Sequence, residues 1–117
     1  MSNEDIIQRF CESLRQLNLY KAAEVVEEVA KKLTELRDVT PSSLERLAEL
    51  LKHEVSDEID LIVIRSEIIK LNIPNISNCV ADALKNIKPK SEELIKLRKL
   101  IEALINFYKY YYSDIKT

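Results

Sequence analysis

The chain contains no glycine in 117 residues. Glycine normally takes the positive backbone angles of tight turns and allows the backbone to approach a phosphate closely. Without it, a Walker loop, a GxGxxG dinucleotide fingerprint and a GxSxG nucleophile elbow are all excluded. This absence removes most nucleotide-dependent enzymes and disfavours tight β-hairpins, and it predicts helices that end at asparagine, at proline or by fraying.

Side chains suited to catalysis are also scarce, since the chain has one histidine and two cysteines. His53 has polar neighbours near a predicted helix end and lacks an evident nucleophile or orienting carboxylate, so we expect a surface residue. Asp57, Glu58 and Asp60 form an acidic group, but carboxylates at a helix start are explained by the helix dipole. We therefore predict no catalytic residue, no cofactor and no metal site.

Cys11 and Cys79 lie far apart in different surroundings and form no CxxC pair. We expect both thiols to fill the core without pairing, in a reducing compartment. The N-terminus lacks the basic start and apolar run of a signal peptide, and no apolar run reaches membrane-spanning length. These features predict a cytoplasmic protein.

Charge is balanced overall but uneven along the chain. The 18 basic and 20 acidic residues give a net charge of −2, which argues against a protein that binds duplexes by neutralising phosphates. Residues 1–60 hold 8 basic against 14 acidic residues, and residues 61–117 hold 10 against 6. An acidic half and a basic half favour oriented docking onto partners.

Apolar residues recur at helical spacing along nearly the whole chain. This pattern predicts one all-α domain over residues 1–117, a bundle of five or six helices with a long C-terminal helix. We expect helices at about residues 3–17 and 19–37, a third that begins with Thr40 as N-cap and Pro41, a short fifth helix before Pro89, and a sixth from Ser91 onward.

The fourth element, within residues 56–72, is ambiguous because its β-branched run from Ile59 to Ile64 also suits a buried strand. A cap at Ser56 or Asp57 and a stop at Asn72 favour a helix. The helix could continue from the third one with only a kink, since neither glycine nor proline separates them. Four apolar residues also recur at helical spacing, namely Ile59, Ile62, Val63 and Ile69.

Arg65 interrupts the apolar run of this fourth helix. A buried arginine would need a carboxylate partner, in this chain or in another subunit. A surface arginine whose aliphatic stem packs on the core is the equal alternative.

The last helix carries five aromatic residues within positions 107–112. When the helix is projected at about 100° per residue, Tyr108, Tyr111 and Tyr112 extend a core stripe that begins at Leu94. The predicted core therefore accounts for three of the five aromatic residues.

Phe107 lies at the edge of that stripe, and Tyr110 lies outside it on the side that carries Lys96 and Lys99. Basic and aromatic residues together can stack on single-stranded nucleic acid, or they can form the core of a protein interface. The net charge and the presence of only two lysines favour protein. We predict this face as the partner interface, with Tyr20 and Arg65 as second choices.

Three segments resemble the helical A domain of an archaeal GINS subunit. They are "LNLYKAAEVVEEVAKKL", "DEIDLIVIRSEIIKL" with its central arginine, and "KPKSEELIKLRKLIEALINFY", a helix led by paired glutamates that ends in aromatic residues. The chain departs from the family pattern in lacking proline before Tyr20, in placing Ser66 and Glu67 after Arg65, and in having no β-rich B domain.

The resemblance implies a non-catalytic subunit of a DNA replication assembly, which bridges the MCM helicase and a RecJ-like partner by helix packing. Two alternatives remain. One is a small helical subunit of a CRISPR effector complex, which requires the basic residues of helices four to six to converge on one surface. The other is a viral or regulatory protein that homodimerises through its last helix. The expected partners are other protein subunits, with weak nucleic-acid binding at most and no membrane.

Overall fold

The computed structural model describes the backbone of residues 3–116 and the side chains of residues 6–113. Within this range the chain is all-α, as the periodicity predicts, and the Cα radius of gyration of 13.5 Å matches a compact domain of this length. The helices are α1 (Asn3–Arg15), α2 (Leu19–Leu33), α3 (Pro41–Lys52), α4 (Glu58–Leu71), α5 (Ile76–Leu84) and α6 (Glu92–Lys116).

The six helices pack side by side in a closed cycle. The long helix α6 lies between α2 and α3, α1 joins α2 to α5, and α4 joins α5 to α3. Tyr20 at the start of α2 lies beside Lys96 near the start of α6, and Glu27 in the second half of α2 bonds to Tyr111 near the end of α6, so these helices run parallel. The ion pair between Lys109 and Glu45 joins the end of α6 to the start of α3, so these two run antiparallel.

Each helix contributes an apolar stripe to one core. The stripe of α6 follows the predicted spacing, with Leu94, Leu97, Leu104 and Tyr108 buried. None of the helices within residues 3–116 combines the length and the apolar character needed to cross a membrane. The largest fully buried side chains are Tyr108, Phe10, Leu14, Leu33, Leu44, Leu47, Ile68, Ile76, Leu84, Leu97, Ile101 and Leu104.

The helix ends show how the fold manages without glycine. Leu17, Asn72, Asn75 and Lys90 have φ angles of 56°, 53°, 65° and 62°, the region that glycine usually occupies. α4 ends at Leu71 with Asn72 as its C-cap, which confirms the predicted stop, but α1 and α2 end earlier than the periodicity suggests, at Arg15 and Leu33.

The α3–α4 connection is a real break and not a kink. Residues 53–57 leave the helical path, and α4 restarts with a capping box. In that box the Asp57 carboxylate accepts a hydrogen bond from the Asp60 amide at 3.0 Å, and the Asp60 carboxylate accepts one from the Asp57 amide at 3.4 Å. Residues 58–71 thus form a helix and not a strand, which confirms the prediction.

An arginine from α6 completes the end of α3. Arg98 donates from Nη2 to the carbonyl oxygen of His53 at 2.9 Å and from Nε to that of Leu51. The last carbonyl groups of a helix have no partner within it, so this arginine satisfies groups that water would otherwise have to solvate.

Cys11 on α1 and Cys79 on α5 form a disulfide, with their Cα atoms 5.2 Å apart. The prediction of unpaired thiols is therefore wrong, although both residues are buried as expected. The reason is tertiary, because packing of α1 against α5 joins residues separated by 68 positions. Disulfides are rare in cytosolic proteins outside hyperthermophiles, so the cysteines no longer support a reducing compartment.

Candidate partner interface

A groove of about 570 Å³ opens at the surface between α2 and α6, here called the aromatic groove. Glu27 of α2 lines one side of the groove, and all other lining residues belong to α6. These α6 residues lie three or four positions apart and therefore share one face of the helix. The lining residues are Glu27, Ala103, Asn106, Phe107, Tyr110 and Tyr111.

Two of the predicted interface residues, Phe107 and Tyr110, line this groove in different ways. Tyr110 is 68% exposed, and its ring meets that of Tyr111 edge-on at 5.0 Å between centroids. Phe107 is half-buried and packs against the core. Tyr110 is therefore the ring that the fold leaves most open, whereas the core covers part of Phe107.

Tyr111 connects the two walls of the aromatic groove. Its hydroxyl donates to the carboxylate of Glu27, and the ammonium of Lys31 lies 4.9 Å from the centroid of its ring. The side chain is half-buried. The predicted core position of Tyr111 is thus only partly correct, because its polar end serves to join α6 to α2.

Tyr108 and Tyr112 follow the predicted core stripe more closely. Tyr108 is fully buried, and its hydroxyl donates to the carbonyl oxygen of Val39 at 3.3 Å. Tyr112 stacks on it at 5.5 Å between centroids and packs partly against the core. Burial raises the pKa of Tyr108, and charge interaction with Tyr112 adds to the shift.

The fold brings Tyr20, from the first turn of α2, to Lys96 on α6. The Lys96 ammonium lies 5.1 Å from the centroid of the Tyr20 ring, and this ring is 74% exposed. A hydrogen bond with Tyr20 is the main cause that raises the pKa of Lys96, followed by charge interaction with Tyr20 and, more weakly, with Glu92 and Glu93. The lysine stays charged at neutral pH beside an accessible ring.

Lys99 is exposed one turn after Lys96 on α6. The surface formed by Tyr20, Lys96, Lys99, Phe107 and Tyr110 is called the α2–α6 face below. The spacing of residues along α6 alone predicts that its four α6 members lie on one face. Tyr20 joins them only through the packing of α2 on α6.

Arg65 does not belong to this face. It lies on α4, which packs against α3 and α5, and its Nε donates to the carbonyl oxygen of Ala81 at 3.3 Å. The side chain is half-buried. Its partner is thus a backbone group of α5, not the carboxylate that a buried arginine was expected to need.

The polar residues weighed for catalysis or metal binding have local structural roles. His53 is exposed at the C-cap of α3, and the carboxylates of Asp57 and Asp60 cap α4. Among the side chains of residues 6–113, no three histidine, cysteine, aspartate or glutamate residues are grouped so as to hold a metal ion.

A second exposed apolar surface lies on α4, and none of its residues is among the predicted interface residues. The residues whose spacing indicated this helix lie on its outer side, while a different set faces the core. Apolar residues occur on every side of α4, so at least one apolar side stays exposed unless neighbouring helices surround the helix. This all-round distribution is visible in the sequence. The outer residues are Ile59, Ile62, Val63 and Ile69, and the buried ones are Leu61, Ile64 and Ile68.

No family model, curated protein or solved structure matches the chain. The resemblance to GINS A domains therefore stays a hypothesis that rests on the three sequence segments.

Proposed function

We propose that this chain is a non-catalytic helical subunit of a protein assembly and that its α2–α6 face binds a partner subunit. The supporting observation is the exposure of two large rings, Tyr110 at 68% and Tyr20 at 74%, on the same helix pair. Tyrosine is among the residues enriched at the energetic centres of protein interfaces. Burying these rings would remove apolar surface from water and leave their hydroxyl groups free to hydrogen-bond.

The chemistry of the face fits an amphipathic helix from the partner. Apolar side chains of such a helix would enter the aromatic groove beside Phe107 and Tyr110, in the helix-in-groove mode. Acidic side chains would meet Lys96 and Lys99 toward the start of α6. The one carboxylate in the groove, that of Glu27, accepts a hydrogen bond from the Tyr111 hydroxyl, so one of its acceptor sites is already satisfied before a partner binds.

A specific form of the proposal follows from the resemblance to GINS A domains. In that form the assembly acts in DNA replication, and the partners are other GINS subunits, an MCM helicase and a RecJ-like protein. The support consists of the three resembling segments and the all-α fold.

Nucleic-acid binding has less support than protein binding. Lys96 occupies the face of the Tyr20 ring on which a base would stack. The carboxylate of Glu27, which would repel a phosphate, lines the aromatic groove. Arg65 and Lys70 on α4 are separated from the lysines of α6 by α3 in the helix cycle. The convergence required of a CRISPR-type small subunit is therefore not favoured.

The first experiment tests the face with a photoreactive amino acid at position 110. Partners cross-linked in the source cells are identified by mass spectrometry, and the purified partner is then titrated against the wild-type chain. We expect Tyr110→Ala and Lys99→Glu each to weaken binding about tenfold or more, as interface tyrosines and charge pairs do.

Ile59→Ala is the matched control, because Ile59 is exposed but lies on α4, which packs between α3 and α5 and does not contribute to the α2–α6 face. If both test variants bind as tightly as the control, the α2–α6 face is not the interface. Purified MCM helicase and RecJ-like proteins test the replication form in the same assay. Salt-dependent binding to a single-stranded oligonucleotide, lost in Lys99→Glu, would replace the proposal with the nucleic-acid alternative.

A further inference from the structure

We propose that the outer side of α4 is a self-association surface, which pairs antiparallel with the same helix of a second copy of this chain. The surface, called the α4 face, consists of Ile59, Ile62, Val63, Ser66 and Ile69. It is distinct from the α2–α6 face, because α4 packs between α3 and α5 in the helix cycle.

The α4 face is apolar to an unusual degree for an exposed helix side. Ile59 is 69% exposed, Ile62 57%, Val63 54% and Ile69 49%. On a helical projection these residues fall within a sector of about 120°, with Ser66 near its centre. Single exposed aliphatic residues are ordinary on protein surfaces, but a contiguous set on one face indicates an interaction site.

The charges at the two ends of α4 favour a second copy in the antiparallel direction. The helix starts with Asp57, Glu58 and Asp60 and has Lys70 in its last turn. Antiparallel pairing about residue 64 sets the acidic start of one helix against Lys70 of the other. Parallel pairing would instead place acid against acid and align the helix dipoles.

The same register matches the apolar residues. Ile59 of one copy lies opposite Ile69 of the other, and the shorter residues Val63 and Ser66 lie near the twofold axis, where the helices approach most closely. The Ser66 hydroxyl donates to the carbonyl oxygen of Val63 at 2.7 Å within its own helix. The contact would therefore bury no unsatisfied hydroxyl.

The size of the α4 face sets the strength of the dimer. The 14 residues of helix α4 span about 20 Å, and a helix is about 10 Å wide, so the α4 face covers at most one side of this cylinder. This area lies below the roughly 800 Å² per partner of a standard stable interface. The dimer is accordingly weak and reversible, with a dissociation constant on the order of 10–100 μM.

Sedimentation equilibrium from about 10 μM to about 1 mM tests the proposal, a range that brackets the expected dissociation constant. We expect the mass to rise from monomer to dimer and to stop there, since antiparallel pairing consumes the face on both copies. Ile62→Glu should weaken the dimer at least tenfold, because it buries a carboxylate in the contact. Ile95→Glu, a change at a similarly exposed isoleucine on α6, should leave the dimer intact.

A second variant tests the direction of pairing. Lys70→Glu should weaken the dimer severalfold at low salt, and the difference from wild type should shrink as salt screens the charges.

The α4 proposal is wrong if the chain stays monomeric over the whole concentration range, or if Ile62→Glu dimerises like wild type. Loss of the dimer in Tyr110→Ala with retention in Ile62→Glu would move self-association to α6. A retained dimer in Tyr110→Ala, with loss in Ile62→Glu, supports the α4 proposal independently of the proposed function.

Discussion

At the scale of single residues, Tyr108 shows how one side chain serves both packing and specificity. Its ring is fully buried in the core, and its hydroxyl reaches the carbonyl oxygen of Val39 in the connection between α2 and α3. A buried tyrosine hydroxyl without a partner would destabilise the fold. The hydrogen bond therefore ties this connection to α6.

Tyr108→Phe should lower the free energy of unfolding by about 1 kcal/mol at neutral pH, because the carbonyl oxygen of Val39 loses its donor. The difference from wild type should narrow as pH rises above about 10, where the tyrosine of the unfolded chain ionises. Since the folded pKa of Tyr108 is raised, its contribution to stability is complete below that pH and is lost above it.

Urea unfolding of both proteins at several pH values between 7 and 11 measures this effect. Tyr110→Phe is the control, because the Tyr110 ring is exposed and its replacement should not change the shape of the pH profile. Parallel profiles for wild type and Tyr108→Phe would show that Tyr108 ionises equally in both states.

At the scale of helices and turns, the starts were more predictable than the ends. Thr40 and Asp57 cap α3 and α4 as the sequence indicates, because a capping side chain bonds to amides only a few residues away. α1 instead ends with Leu17 in the left-handed region, where the Asn18 amide bonds to the Ser13 carbonyl oxygen at 2.9 Å. A leucine gives no sequence signal for such a helix end. Packing of the Leu17 side chain against the core holds this residue in the left-handed conformation.

The turn before α6 offers a test of the cost of having no glycine. Lys90 is exposed and has a φ of 62°, which is unfavourable for any residue with a Cβ atom. Lys90→Gly should raise the free energy of unfolding by about 0.5–1 kcal/mol, because relief of this strain exceeds the entropy that glycine adds to the unfolded chain.

Thermal and urea unfolding measure the change. Lys88→Gly is the matched control in the same turn, since Lys88 is also exposed but is not among the positive-φ residues. It should be neutral or slightly destabilising. An equal loss of stability in both variants would mean that the backbone at Lys90 carries no such strain.

At the scale of the whole molecule, the disulfide joins helices that lie far apart in sequence. α1 and α5 are neighbours in the helix cycle, and Cys11 and Cys79 link them covalently across most of the domain. Cross-linking stabilises mainly by restricting the unfolded chain, and its effect grows slowly with the length of the closed loop.

Reduction of the disulfide should lower the free energy of unfolding by up to about 4 kcal/mol, the chain-entropy value for a sequence separation of 68 residues. Denaturant unfolding with and without a thiol reductant measures the loss. The Cys11→Ala/Cys79→Ala variant is the control, because reductant should not affect it. Two reactive thiols in the unreduced, unfolded protein would contradict the assignment.

The candidate interfaces show where sequence information runs out. The position of Tyr110 outside the core stripe could be predicted, because the side of a helix on which a residue lies depends only on its spacing from its neighbours. The approach of Tyr20 to Lys96 could not, because it depends on which helix packs against α6. For the same reason, spacing indicated that α4 is a helix but did not reveal which of its two apolar sides faces out.

The sequence by itself determined an all-α chain without a glycine-rich phosphate loop, with its helix starts at Thr40 and Asp57, because periodicity and capping are local properties. The tertiary structure alone decided three other features: the pairing of Cys11 with Cys79, the groove between α2 and α6, and the exposed side of α4. Each of them depends on which helices become neighbours. That choice results from the simultaneous packing of all six helices around one core.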